Sequence, residues 1–448
     1  MGLTQTNEDG IYDARSLGRA KMLLLGLQHM FAMFGATVLV PAITGLSVSS
    51  TLLFAGLGTL LFHMITKYKV PAFLGSSFAF LGGYATVVTL GKEYNLSQAE
   101  ALPYACIGVF FAGFVYFIVA ALIKSYGTNK VMKFFPPIVT GPIIISIGLT
   151  LSGTAVASCE SNWLIALIAI LIVIIANIWG KGMIKIIPIL LGVVGSYLIA
   201  AIAGEADFSS VASAPLFGLP VQQQDTVLPV IMNPNYSLLI ASILTIMPIS
   251  LATIVEHIGD ICAISSTARR NYLSEPGLHR TLLGDGLATS MASLFGAPAN
   301  TTYGENTGVL NLTKVFDPKV IRLAAIFAII FSFSPKFAAL VSAMPTATMG
   351  GVSLVLYGMI SAIGVRNVVE NQVDFTKSRN VIIAALILVL AIGIQYGTKS
   401  SSISIGFTNL SGLAVAAIVG ILLNAILPGK DYEFGKNQVG DTSMNLEV

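Results

Sequence analysis

Glu256 and Asp260 stand four residues apart in SLATIVEHIGDICA (250–263), a run otherwise poor in charge. On a helix that spacing puts both carboxylates on one face, about one turn apart. Like charges so close oppose joint ionisation, which suits the pair to taking up and releasing one proton. A third acid, Glu305, lies in TTYGENTGVLNLTK (301–314), a stretch rich in Thr, Asn and Gly between two apolar runs. It follows Gly304, where the chain should turn helical, so it reads either as a ligand group or as a helix cap. His29 in LQHMFAMFG (27–35) and Asp285 in LLGDGLA (282–288) are each open to a structural or a functional reading, while His63 and His257 read as structural. A charge at the centre of a bilayer costs at least about 2.5–3.5 kcal/mol, so an acid held there needs a role.

Composition is what implies the bilayer. The chain of 448 residues is 55% hydrophobic and only 10% charged, against about 25% charged in a soluble domain. It lacks the polar surface to face water and must have lipid as its solvent over most of its length. A net charge of +3 gives no case for nucleic acid. Cys106, Cys159 and Cys262 are scattered without CxxC or His–Cys spacing, so no disulfide framework, metal site or cofactor is expected. No nucleophile–base pair supports an intramembrane enzyme, and no catalytic residue is assigned. The N-terminus MGLTQTNEDGIYDARSLGRAK is polar, so no signal peptide is expected in it.

The elements that must position these residues follow from hydropathy. Apolar runs near the length of a span, about 20 residues, lie near 22–44, 50–66, 103–123, 135–153, 163–179, 183–203, 236–262, 281–296, 318–343, 346–364, 379–396 and 405–427. Two more segments, 70–90 and 297–313, are apolar but broken by Gly, Pro, Ser and Thr. Twelve runs plus these two predict fourteen crossings. With all fourteen, every Lys and Arg except Lys92, Lys336 and Lys399 falls on one side, which the positive-inside rule makes cytoplasmic together with both termini. Dropping one broken segment would reverse every later loop. Fourteen divides into seven and seven, and an odd number per half makes the second half an inverted repeat of the first. The broken segments are then third in each half. Such matched interruptions are the best sequence pointer to a carrier's binding site. Their strand-like cores, AFLGSSFAF and ANTTYG, are expected to pair antiparallel and to be followed by helices whose N-termini point inward. Phe78 and Tyr303 are the aromatics of interest because they lie in these segments.

These passages resemble the nucleobase–ascorbate transporter family, its uracil permease branch most closely, over nearly the whole chain. The resemblance rests on LQHMFAMFGATVLVP (27–41), VPAFLGSSFAF (70–80), EHIGD (256–260), NTTYGENTGVLNLTK (300–314) and MGGVSLVLYG (349–358), and on the signature Glu305-Asn306-x-Gly308 followed by Thr313-Lys314. It implies an all-α membrane fold of fourteen segments in two inverted seven-segment repeats, with short antiparallel strands in segments 3 and 10. It implies a core domain (22–123 and 236–343) and a gate domain (131–203 and 346–427). Carried over by position, Glu256 and Glu305 are the substrate-binding acids and Phe78 and Tyr303 the aromatic contacts. Ala36 and Gly304 are places where backbone approaches the ligand, and Ser353 and Tyr357 gate positions. Glu256, Asp260, Glu305 and His29 are the proton-coupling candidates, although some uracil-type members have histidine where Asp260 stands. The implied activity is uracil:proton symport across the plasma membrane by an elevator-type movement, in a homodimer. The rivals are a purine (xanthine or urate) carrier of the same family, against which Glu305 argues because purine members commonly have glutamine there, and an anion exchanger or channel on the same scaffold.

Overall fold

A computed structural model describes residues 10–398, 401–405, 408–430 and 432; the side chains of Glu305, Ile405 and Thr408, and the whole of Lys399, lie outside that description. The main helices in chain order are α1 (Arg19–Thr44), α2 (Val48–Ile65), α3 (Leu81–Glu93), α4 (Gln98–Tyr126), α5 (Pro137–Cys159), α6 (Trp163–Ile178), α7 (Pro188–Ile202), α8 (Tyr236–Ile246), α9 (Ser250–Thr267), α10 (Leu278–Leu294), α11 (Gly304–Thr313), α12 (Pro318–Ser332), α13 (Pro335–Ser342), α14 (Thr346–Glu370), α15 (Ser378–Gly397) and α16 (Gly412–Ile426). Among the described residues seven helices, counting α8 and α9 as one, are long and apolar enough to cross a membrane. Shorter apolar helices also keep large apolar side chains exposed: Leu164, Leu167, Leu171, Ile175 and Ile178 form a stripe along α6, spaced by three or four residues, the mark of a face turned to lipid. The chain is a mostly helical, multi-pass membrane protein.

Helix ends follow local chemistry. Ser97 and Glu100 form a reciprocal capping box at the start of α4, and Gly45, at a φ of 81°, closes α1 with its N–H on Pro41 O. The predicted run 318–343 is not one straight helix. It turns by 88° between α12 and α13, because the Ser334 hydroxyl caps the Phe337 N–H and Pro335 can only begin a helix, not continue one. The run 405–427 becomes helical only at Gly412. Before it lies a hairpin of β3 (Ser402–Ile405) and β4 (Thr408–Ser411). Alternating Ser and Ile over 402–405 is a strand signal that hydropathy averaging had hidden.

The two broken segments form strands as expected. β1 (Leu74–Ser76) and β2 (Asn300–Thr302) pair antiparallel in the register Leu74↔Thr302, Gly75↔Thr301, Ser76↔Asn300, all buried. The ladder is extended by Tyr303 N–H on Phe73 O (3.1 Å) and Ser77 N–H on Ala299 O (2.8 Å). Gly75 cannot carry a side chain here: a Cβ would lie 2.6 Å from the Tyr303 ring and 2.7 Å from Thr37 Oγ1. α3 follows β1 and α11 follows β2, so each strand runs into a helix N-terminus.

Outside the bundle the N-terminal segment is tied down. Ile11 pairs with Val315, with Ile11 N–H on Lys314 O and Phe316 N–H on Ile11 O, both 2.7 Å. The Tyr12 hydroxyl donates to Ala268 O at 2.7 Å, under the Arg270 guanidinium, which lies 3.9 Å from the Tyr12 ring centroid. Ala14 N–H donates to Asp317 Oδ2.

Candidate functional site

A cavity of about 310 Å³ opens beside the strand pair. Three helix faces bound it. α11 contributes Gly304, Thr307, Gly308 and Asn311, at i, i+3, i+4 and i+7. α9 contributes Glu256, Asp260, Ala263 and Thr267 along one stripe, which confirms that both carboxylates share a face. α14 contributes Ile360, Ile363, Asn367 and Glu370, and Ile144 of α5 closes the wall. Phe78, Thr301, Thr302 and Tyr303 form the closed end. The other end is polar, with Arg366, Asn367, Glu370 and Asn311, and lies toward Arg269, Arg270 and Lys314.

Local structure explains what this arrangement offers. Irregular backbone at membrane depth is tolerated only in protein or at a cavity wall. The first turn of α11 faces the cavity with helix N–H groups that have no partner within the helix, a natural seat for an acceptor oxygen. A Cβ on Gly308 would meet nothing within 4 Å, and one on Gly304 nothing nearer than Asp260 Oδ1 at 3.7 Å, so the two glycines leave room for a ligand to approach main chain. Glu256 and Asp260 supply carboxylate oxygens for ring N–H donors, and Phe78 and Tyr303 supply flat apolar surface. Such a site fits a small planar molecule with N–H donors and C=O acceptors on its edge.

Five of the residues singled out in the sequence meet at this cavity: Phe78, Glu256, Asp260, Tyr303 and Gly304. Glu305 occupies the second position of α11, and its side chain is outside the described residues. The remaining four do not line the cavity. Ala36 is buried inside α1. Tyr357 packs behind the wall, its ring 5.8 Å from that of Phe78 at 72°, and Ser353 is buried one turn before it. His29 is fully buried and joins α1 to α11: Asn306 Nδ2 lies 3.2 Å from His29 Nδ1 and donates to His29 O at 3.1 Å.

Sequence reasoning missed Thr302. Its hydroxyl donates to Asp260 Oδ2 at 2.9 Å and lies 3.5 Å from His257 Nδ1, and His257 in turn meets Asp285 Oδ2 at 3.0 Å, both side chains fully buried. The cavity carboxylate is thereby linked to a His–Asp pair, of which the sequence left Asp285 open and marked His257 as structural. His257, next to Glu256 in sequence, is reached from the cavity only through Thr302 of β2. The stripe Thr307, Gly308 and Asn311 was legible from its spacing after Gly304, whereas nothing local in α14 marks Ile360, Ile363 or Asn367.

Known proteins agree with this architecture. A profile described as "Permease family" matches residues 20–400. The uracil permease of Bacillus caldolyticus is 42% identical over 431 residues, covering 94% of each chain. That of Bacillus subtilis (strain 168) is 40% identical over 431 residues, covering 93% of this chain and 94% of its own. That of Escherichia coli (strain K12) is 37% identical over 413 residues, covering 90% of each. Among solved structures, the transmembrane domain of the cyanobacterial bicarbonate transporter BicA superposes with a TM-score of 0.56 at 15% identity, covering 93% of this chain and 98% of that one. SLC26A9 superposes with a TM-score of 0.64 at 11% identity, covering 93% of this chain and 66% of that one. At those identities the likeness is one of fold. The sequence relatives are permeases, not enzymes, and on the match across residues 20–400 the chain belongs to this permease family, the nucleobase–ascorbate transporters.

Proposed function

We propose that this protein carries uracil into the cell as a proton symporter. The observation that carries the reading is the cavity itself, where the Glu256 and Asp260 carboxylates, the first turn of α11 and the Phe78 and Tyr303 rings surround a space of about 310 Å³ beside the paired strands. Uracil presents ring N–H groups to the acids and carbonyl oxygens to main-chain N–H, with an aromatic ring over its face. Relatives named uracil permeases at 37–42% identity over nine-tenths of the chain support the substrate. Glu256 and Glu305 act as the binding acids, with Gly304 giving close backbone approach. The proton is held among Glu256, Asp260 and Glu305, with His29 bracing α11.

Transport proceeds by movement of a core (22–123 and 236–343) against a gate (131–203 and 346–427), with Ser353 and Tyr357 on the gate side. In this reading fourteen segments form two inverted repeats, both termini are cytoplasmic in the plasma membrane, and two copies associate. The polar mouth beside Arg269, Arg270 and Lys314 then faces the cytoplasm, so the conformation described is open inward. Uptake of labelled uracil by vesicles, with and without an imposed pH gradient and challenged by unlabelled xanthine, tests the proposal. Accumulation should rise with an inward proton gradient and resist xanthine. Uptake indifferent to the gradient would refute proton coupling, and accumulation of labelled xanthine in place of uracil would refute the substrate.

A further inference from the structure

The paired strands are only three residues each, and antiparallel pairing satisfies only alternate backbone groups. Gly75 and Thr301 sit between the flanking ladder bonds Tyr303 N–H to Phe73 O and Ser77 N–H to Ala299 O. Leu74 and Asn300, the first residues of β1 and β2, therefore turn their N–H and C=O away from the partner strand. Buried main chain cannot be left so. At Leu74 one threonine hydroxyl serves both groups, and at Asn300 another serves the carbonyl. Thr59 of α2 accepts from Leu74 N–H at 2.9 Å and donates to Leu74 O at 3.3 Å. Thr289 of α10 donates to Asn300 O at 2.8 Å. Both threonines are fully buried. Each lies in the helix preceding its own strand, six residues before the last residue of α2 and five before that of α10, and each donates its hydroxyl to the carbonyl of the strand's first residue.

We propose that Thr59 and Thr289 are positioning residues for transport: two hydroxyl clamps that fix the height of the strand pair against the helices and so place the ligand-facing groups that follow the strands. Two residues beyond β1 comes Phe78, and directly beyond β2 come Tyr303 and Gly304. Thr302, within β2, also orients the Asp260 carboxylate. A slip of the pair by a fraction of an ångström therefore moves the aromatic wall, the α11 N-terminus and a carboxylate together. Neither threonine lines the cavity, so each acts through the strand it holds.

The inference rests on the uracil reading for its transport assay but carries a second readout that does not. Thr59→Val and Thr289→Val keep the side-chain shape and remove the hydroxyl. In full-length protein in nanodiscs and vesicles, each should raise the KM for uracil about fivefold or more, the size expected of an unsatisfied buried backbone group, with maximal rate per molecule within about twofold of wild type. Thr59→Ser and Thr289→Ser should restore KM. Amide hydrogen exchange in substrate-free protein should quicken over 72–77 in Thr59→Val and over 298–303 in Thr289→Val. Should a valine variant fail to accumulate, the cysteine variant, a weak hydrogen bonder of similar size, takes its place. Unchanged exchange, or a fall in rate with KM unmoved, overturns the proposal, as do serine variants no better than valine. If wild type takes up no uracil, the uracil reading falls while the exchange result still decides the clamps.

Discussion

Glu256 lies on the wall of a cavity whose size suits a single heterocycle, on the same helical stripe as Asp260. A carboxylate accepting from a ring N–H makes a charge-assisted hydrogen bond, about 1.5–3 kcal/mol. Glu256→Gln replaces an acceptor-only group by one that also presents donors, so uracil binding measured by calorimetry should weaken about tenfold to a hundredfold. Unchanged affinity would remove Glu256 from the site. Gln in place of Glu keeps the volume, so the unfolding temperature should stay close to wild type. The spacing of Glu256 and Asp260 was readable in the sequence because a helix fixes which residues share a face. The tie from Asp260 through Thr302 to His257 and Asp285 was not, because it crosses from a helix to a strand more than forty residues away.

Elements explain how loosely encoded parts are held. The N-terminal segment runs across the ends of the two helices that supply the cavity's polar stripes, since Tyr12 reaches the carbonyl just beyond α9 and Ile11 pairs with the chain just beyond α11. Asp13 adds a charge at this surface. The hydrogen bonds of Arg15 hold its carboxyl well below the usual carboxylate range. Its folded value is depressed, so the interaction is fully present above the ordinary aspartate pKa of about 3.9 and is lost only as pH falls through the lower folded value. Tyr12→Ala removes a hydrogen bond, the contact with Arg270 and the ring packing on Phe316 at once. It should lower the unfolding temperature and quicken amide exchange over 266–272 and 313–317. Tyr12→Phe, which keeps both ring contacts, should lose only about 1 kcal/mol. Exchange unchanged in Tyr12→Ala would show that the segment merely rests on the bundle. The hydropathy of residues 10–18 does not announce this docking, because it combines backbone pairs, the Ala14 N–H on Asp317, the Tyr12 ring and a small apolar cluster of Ile11, Ala14 and Leu17 with Val315 and Val320.

At the scale of the whole molecule, an elevator-type movement requires the helices carrying the site to slide past those that face them. Under the movement proposed above, α1 and α7 would slide against each other, and they touch closely: a Cβ built on Gly35 would stand 3.4 Å from Ile189 Cβ. That separation is close to the spacing of a disulfide, about 3.5–4.5 Å. The double variant Gly35→Cys/Ile189→Cys should cross-link on mild oxidation, lose uptake, and recover it on reduction. Full uptake by cross-linked protein would mean that these two regions do not move against each other during transport. The native Cys106, Cys159 and Cys262 are buried, so they interfere little with the chemistry.

The sequence by itself determined that lipid is the solvent, where most helices lie, which two segments are broken, and which faces of α9 and α11 carry polar groups. All of these are matters of composition and of a fixed local period, which act within a few turns of chain. Tertiary structure alone decided the register of β1 against β2, the 88° turn between α12 and α13, the contribution of α14 and α5 to the cavity wall, and the burial of His29, Ala36, Ser353 and Tyr357 outside the cavity lining. These depend on which surfaces meet. In a chain whose helices are apolar on almost every side, the pattern along one helix no longer says which of its faces is turned inward.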